Sequence, residues 1–200
     1  MRQKFTKIIL FCVFSTLFLS LSGCGVVAIV GASAGGAAII HDRRSTGALV
    51  DDQIIEVKAR NSLRTDENLW SQSHINVTCF NNITLLSGET PNDFLRDRAA
   101  EIVKQVPVVK KVHNEIAVVA PSSALSRSSD TWITGKVKTS LIAKGEIDAT
   151  RIKVVTERGI VYLMGLVTRQ EADIATDIVR RVGGVQRVIK LFEYIQPSVD

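Results

Sequence analysis

Three cysteines and three histidines are the side chains of this 200-residue chain best suited to ligating a metal or attacking a substrate. His41, His74 and His113 share no i,i+4 spacing and fall in no metal-ligand motif, so they read as solvated or structural residues. The chain has no Gly-x-Ser-x-Gly elbow, phosphate-binding loop or Cys-x-x-Cys pair. Acidic neighbours such as Asp51-Asp52 suit a helix N-terminus better than a catalytic dyad. The expectation is therefore no enzyme, no bound metal and no cofactor beyond a covalent lipid, argued next.

That lipid follows from Cys24. Arg2, Lys4 and Lys7 form a basic start, and residues 8–21 form an apolar run of signal-peptide length, short for a membrane span. The run closes on Leu21-Ser22-Gly23-Cys24, which resembles a bacterial lipobox, with residues 1–23 as the signal peptide. Cys24 would then carry a diacylglycerol and an N-acyl chain, enough for stable anchoring. Gly25 stands where, by resemblance to enterobacterial lipoprotein sorting, an aspartate would mark retention in the inner membrane, so the resemblance implies outer-membrane delivery facing the periplasm. Cys12 lies in the signal, leaving Cys79 as the single free thiol of the mature chain; in a β-like alternation with Ile75 and Val77 it reads as buried and inert.

Removing Arg2, Lys4 and Lys7 from the 25 Lys+Arg leaves 22 against 20 Asp+Glu, too weak an excess to suggest a nucleic-acid partner. At 46% hydrophobic and 22% charged, the composition is that of an ordinary globular protein. Residues 24–50 read as the lipidated N-terminus and tether, of which the Gly/Ala/Val-rich stretch 25–40 reads as a flexible tether or a segment lying at the headgroups, being short and glycine-weakened for a second transmembrane helix.

The elements that would position any site come as an internal repeat of roughly 77 residues. Asn61-Ser62-Leu63 matches Thr139-Ser140-Leu141, Ile75-Asn76-Val77 matches Ile152-Lys153-Val154, and the run ITLLSG ending at Gly88 matches IVYLMG ending at Gly165. Each copy reads as helix, two short strands joined by a tight turn, helix and last strand: 51–64, 74–80, 83–88, 91–106 and 110–119, then 130–143, 151–156, 160–167, 168–182 and 186–195. Asn81-Asn82 and Arg158-Gly159 suit the hairpin turns, and Gly88 and Gly165 read as structural glycines ending the second strands. The fold class is thus α+β: two tandem αββαβ units, each with two helices on one face of a small mixed three-stranded sheet. The units span 51–119 and 130–196, with 120–129 as a polar linker. Each is small for a self-sufficient core, so the two are expected to pack on one another.

The lipobox, the two units and the blocks Ser45-Thr46-Gly47, Ile75-Asn76-Val77-Thr78, Asn114-Glu115-Ile116, Asp130-Thr131-Trp132-Ile133-Thr134 and Leu163-Met164-Gly165-Leu166-Val167-Thr168 resemble those of dual BON-domain outer-membrane lipoproteins. The resemblance implies the αββαβ fold and binding of anionic phospholipid by the second domain. It also implies support of envelope integrity, with cell division sites among the implied locations.

The residues point to the same domain. Residues 51–119 hold 8 basic and 10 acidic side chains, whereas 130–196 hold 11 and 8. On the first helix of the second unit, Trp132, Lys136, Thr139 and Ala143 form a stripe beside the core stripe of Ile133, Val137 and Leu141. The expected lipid-binding set is Trp132, Ile133, Lys136, Lys138 and Thr139. The rival reading is a periplasmic scaffold or assembly factor whose Trp132 edge binds other envelope proteins.

Overall fold

The computed structural model describes residues 42–120 and 122–196. The signal sequence, Cys24, the stretch 25–40 and His41 lie outside the described residues. None of the described helices is long and apolar enough to cross a membrane.

Ser45 caps helix α1 (Thr46–Thr65) by accepting from the Ala48 amide, so the helix begins well before residue 51. Its inward stripe is Ala48, Asp52, Ile55, Ala59 and Leu63. Asp66 then caps a short α2 (Glu67–Gln72), absent from the sequence reading, which drops Leu69 into the core. Strands β1 (His74–Phe80) and β2 (Ile83–Thr90) form an antiparallel hairpin through Asn81 and Asn82, both at positive φ. Helix α3 (Asp93–Lys104) returns the chain to β3 (Lys111–Asn114) and β4 (Ala117–Val118), both parallel to β2.

The last strand of this unit, expected to be continuous, is interrupted at Glu115 and Ile116 although the register on either side is the same. The break lies opposite Gly88, whose φ of +116° bends β2. A Cβ at Gly88 would lie 1.9 Å from the His74 carbonyl oxygen. Gly88 sits inside β2 rather than at its end, since the strand runs to Thr90.

The second unit repeats the plan. The stretch expected as a linker is helical from Ala124: Ser123 caps α4 (Ala124–Lys144) by accepting from the Ser126 amide, and no proline or glycine interrupts the helix's first turns. Gly145, left-handed at φ +64°, ends it. After a 3₁₀ turn at Ala149–Arg151 come β5 (Lys153–Glu157), β6 (Ile160–Val167), α5 (Arg169–Val179) and β7 (Arg187–Tyr194). β5 and β6 pair antiparallel; β6 and β7 run parallel without a break. Gly165 lies inside β6, where a Cβ would meet the Arg151 carbonyl oxygen at 2.6 Å.

Period-two alternation sends alternate strand residues to opposite faces. In the first unit Ile75, Val77, Cys79 and Leu86 face α1 and α3; in the second Val154, Val161, Leu163 and Val167 face α4 and α5. The other faces meet each other. Phe80 and Leu85 pack with Tyr162, Met164 and Leu191 in a third core, so the two sheets stack back to back between outer helices. Polar bridges frame that core: Lys153 Nζ binds Glu56 Oε1 at 2.8 Å and the Cys79 carbonyl at 3.0 Å, and Asn81 Nδ2 donates to Glu193 Oε1 at 2.8 Å. Ahead of α1, Arg43 reaches Glu171 and the Leu166 carbonyl of the second unit, while Arg44 binds Asp42 and Asp52.

Candidate functional site

The face of α4 opposite its core stripe supplies the site. Val137 and Leu141 are fully buried, and helical spacing leaves Trp132, Lys138, Thr139 and Ile142 exposed. Trp132 is 69% accessible, the indole standing almost clear of its own fold. With Lys136, Thr139 and Ala143 it lines an open groove of about 1100 Å³ whose far wall is Ile174, Ile178 and Arg181 from α5 and the residues after it. Lys136 Nζ donates to the Gly183 carbonyl on that far wall, tying the helix to the loop after α5.

The five expected lipid contacts thus divide. Trp132, Lys136 and Thr139 share the groove, and Lys138 lies on the exposed side of the same helix outside it. Ile133 is corrected: at 6% exposure it belongs to the second unit's core and packs beneath Gly184, so it supports the helix and does not present itself to a ligand. Gly135, within α4, has open space where a Cβ would be.

Two residues were missed in the sequence, one lining the groove and one exposed beside Lys138 outside it. Ile142, 69% exposed, follows Lys138 by one turn and could have been found by extending that stripe; Arg181 comes to the groove only through the packing of α5 on α4. The groove is of mixed charge, since Glu146 and Asp177 join Lys136, Lys144 and Arg181, and Asp177 pairs with Arg181 at 3.7 Å. In the first unit the equivalent edge carries Val50, Ile54 and Val57, all exposed, with no aromatic among them.

The other residues singled out for chemistry lie away from this groove. Cys79 is buried, and burial followed by its bond to Asp52 (Sγ to Oδ1, 3.1 Å) pushes the thiol up to about 12. Asp52, expected at a helix start, sits inside α1 and accepts from the amides of Asn81 and Asn82 at 2.8 and 2.7 Å. Burial and then the charge of Lys111 lower the pKa of His113. His74 faces the other unit, with Nδ1 3.2 Å from Glu89 Oε2. Glu157 is nearby, its pKa raised chiefly by burial against the pull of the Asn76 amide, which donates to Oε2 at 2.9 Å.

Comparisons with known proteins agree with this architecture. The family model described as "BON domain" matches twice, over residues 51–120 and 129–196. The chain is 36% identical to outer membrane lipoprotein DolP of Haemophilus influenzae, covering 90% of this chain and 92% of that one. It is also 36% identical to a 21 kDa hemolysin of Actinobacillus pleuropneumoniae, covering 78% and 80%, and 29% identical to osmotically-inducible protein Y of Escherichia coli, covering 71% and 72%.

Proposed function

The chain belongs to the BON-domain family, and from that premise we propose that it is a non-enzymatic outer-membrane lipoprotein, anchored through Cys24 and facing the periplasm, whose second BON domain docks on anionic phospholipid and so supports envelope integrity. The observation that carries this reading is the exposed indole of Trp132 on a lysine-bearing helix edge. Tryptophan is amphipathic and suits the headgroup level, where its ring meets acyl chains and its N–H meets polar groups. Lys136 and Lys138 add electrostatic attraction of about 1 kcal/mol each near an anionic surface. Such binding is weak alone, and the acyl anchor compensates by holding the domain at high effective concentration beside the bilayer. Attraction to the headgroups selects the second unit because it carries the basic excess.

The test is co-sedimentation of the chain from Gly25 onward, made without the lipidated cysteine, with vesicles of zwitterionic or phosphatidylglycerol-rich lipid. Binding should require the anionic lipid, fall with salt, and vanish in Trp132→Glu with an unchanged circular dichroism spectrum. Failure to bind either vesicle would overturn the lipid reading and favour a protein partner for the same edge.

A further inference from the structure

A second site lies at the edge of the interface between the two sheets, beside the N-terminal half of α4. His74 and Glu89 are directly paired across the β1–β2 hairpin, both on the face turned to the second unit. Glu157 ends β5 and arrives from that second unit. A ring nitrogen of His74 and one carboxylate oxygen from each glutamate lie within 4.8 Å of one another. Imidazole with two carboxylates is a donor set suited to a borderline divalent cation such as Zn²⁺.

A cluster of this kind can be an accident of packing, but Glu89 argues otherwise. Its side chain is 0% exposed, Oε2 faces His74, and Oε1 is buried with no hydrogen-bond partner among the described residues. An unpartnered carboxylate oxygen in a protein interior is costly unless a cation or proton satisfies it. Among the charges that weigh most on Glu157, Glu89 and Asp130 disfavour its ionised form and His74 favours it, while the Arg127 guanidinium borders the adjacent cavity. A cavity of about 220 Å³ opens beside the cluster, lined by His74, Asn76, Asp130, Thr156 and Glu157; it offers an entry path and room for water ligands. Arg127 also borders that cavity and donates to the Ser122 carbonyl.

We propose that His74, Glu89 and Glu157 bind one divalent transition-metal ion of the zinc class, clasping the two BON domains to each other. Two carboxylates and a neutral imidazole balance a +2 ion, and water completes the coordination. Asn76 is a positioning residue, since its amide holds the Glu157 carboxylate from outside the donor set. The ion would close the interface at the hairpin end where the apolar contact of Phe80 and Leu85 does not reach.

The experiment is calorimetric titration of Zn²⁺ into the full chain in detergent after chelator treatment, with Co²⁺ absorption as a second probe. Expected is one ion per chain, a saturable rise in Tm, and ligand-field bands showing nitrogen ligation. His74→Ala and Glu157→Gln should abolish stoichiometric binding, Asn76→Ala should weaken it about tenfold, and a His41→Ala/His113→Ala double variant should retain it. The wild type alone also decides the matter without variants: the ring-nitrogen NMR resonances of His74 must shift on Zn²⁺ addition. Absence of stoichiometric binding, binding unchanged in His74→Ala and Glu157→Gln, or an unmoved His74 resonance would each overturn the site.

Discussion

Asp130 holds both backbone amides of the Arg158-Gly159 turn at 2.8 Å, and this reproduces in the second domain what Asp52 does for Asn81 and Asn82 in the first. In each domain a carboxylate buried in the first helix satisfies the donors of a hairpin whose two turn residues both have positive φ. The helix and the hairpin are thereby locked in a fixed register, and in the second domain that is the helix bearing Trp132. Asp130→Ala should lower stability by about 2–3 kcal/mol, because charge-assisted bonds are lost and buried amides are left without partners. Thermal or denaturant unfolding measures the loss, and a change below about 0.5 kcal/mol would contradict this role.

Adjacent positions on the same helix should behave oppositely. Trp132→Ala removes an exposed ring and should change stability by no more than about 0.5 kcal/mol while impairing vesicle binding. Ile133→Ala opens a cavity in the core and should cost about 2–5 kcal/mol. Unfolding curves for the two variants, read beside sedimentation with vesicles, separate docking from support.

Cys79 should resist alkylation. Burial, the Asp52 bond and a pKa raised to about 12 leave almost no accessible thiolate at pH 8. In a chain whose other cysteines are replaced, a maleimide reagent should label Cys79 only after denaturant is added. Rapid labelling of the native protein would show that α1 and β1 open together.

Glu171 gives the acid limb of stability a defined contributor. Burial alone would raise its pKa, but Arg43 and the Thr168 amide and hydroxyl outweigh burial and hold the carboxyl at about 2, well below the ordinary glutamate value of about 4.5. Its stabilising effect is full above the unfolded-state value and is lost as pH falls from about 4.5 toward 2. Glu171→Gln should flatten the fall in Tm over that window and lower Tm at neutral pH. Identical acid profiles for variant and wild type would show that the Arg43 strap does not hold in solution.

Gly88→Ala should be among the most damaging single changes in the first domain. The added Cβ would collide with the His74 carbonyl at a φ of +116°, so the hairpin must shift or unfold. Positive-φ strain alone contributes about 1–3 kcal/mol. The same displacement would move His74 relative to Glu89, so any variant that still folds should have weakened Zn²⁺ binding in calorimetry.

The αββαβ frame of each domain, both hairpin turns and the buried character of Cys79 were legible in the sequence, because they rest on local period, turn chemistry and a repeat that states the pattern twice, whereas the short α2 occurs in one copy only and was not read. The ends of elements were less legible: Ser45 and Ser123 start their helices earlier than the acidic residues suggested, and Gly88 breaks a pairing that Gly165 leaves whole. Of the Trp132 site, the helix and its spacing could be read directly, and that spacing already grouped Ile133 with the core residues Val137 and Leu141 against its inclusion among the lipid contacts; Arg181 joined only through helix–helix contact. The cluster of His74, Glu89 and Glu157 had no sequence signal. It combines a cross-strand pair with a residue from the other repeat, and only the back-to-back stacking of the two sheets brings those groups into the same few ångströms.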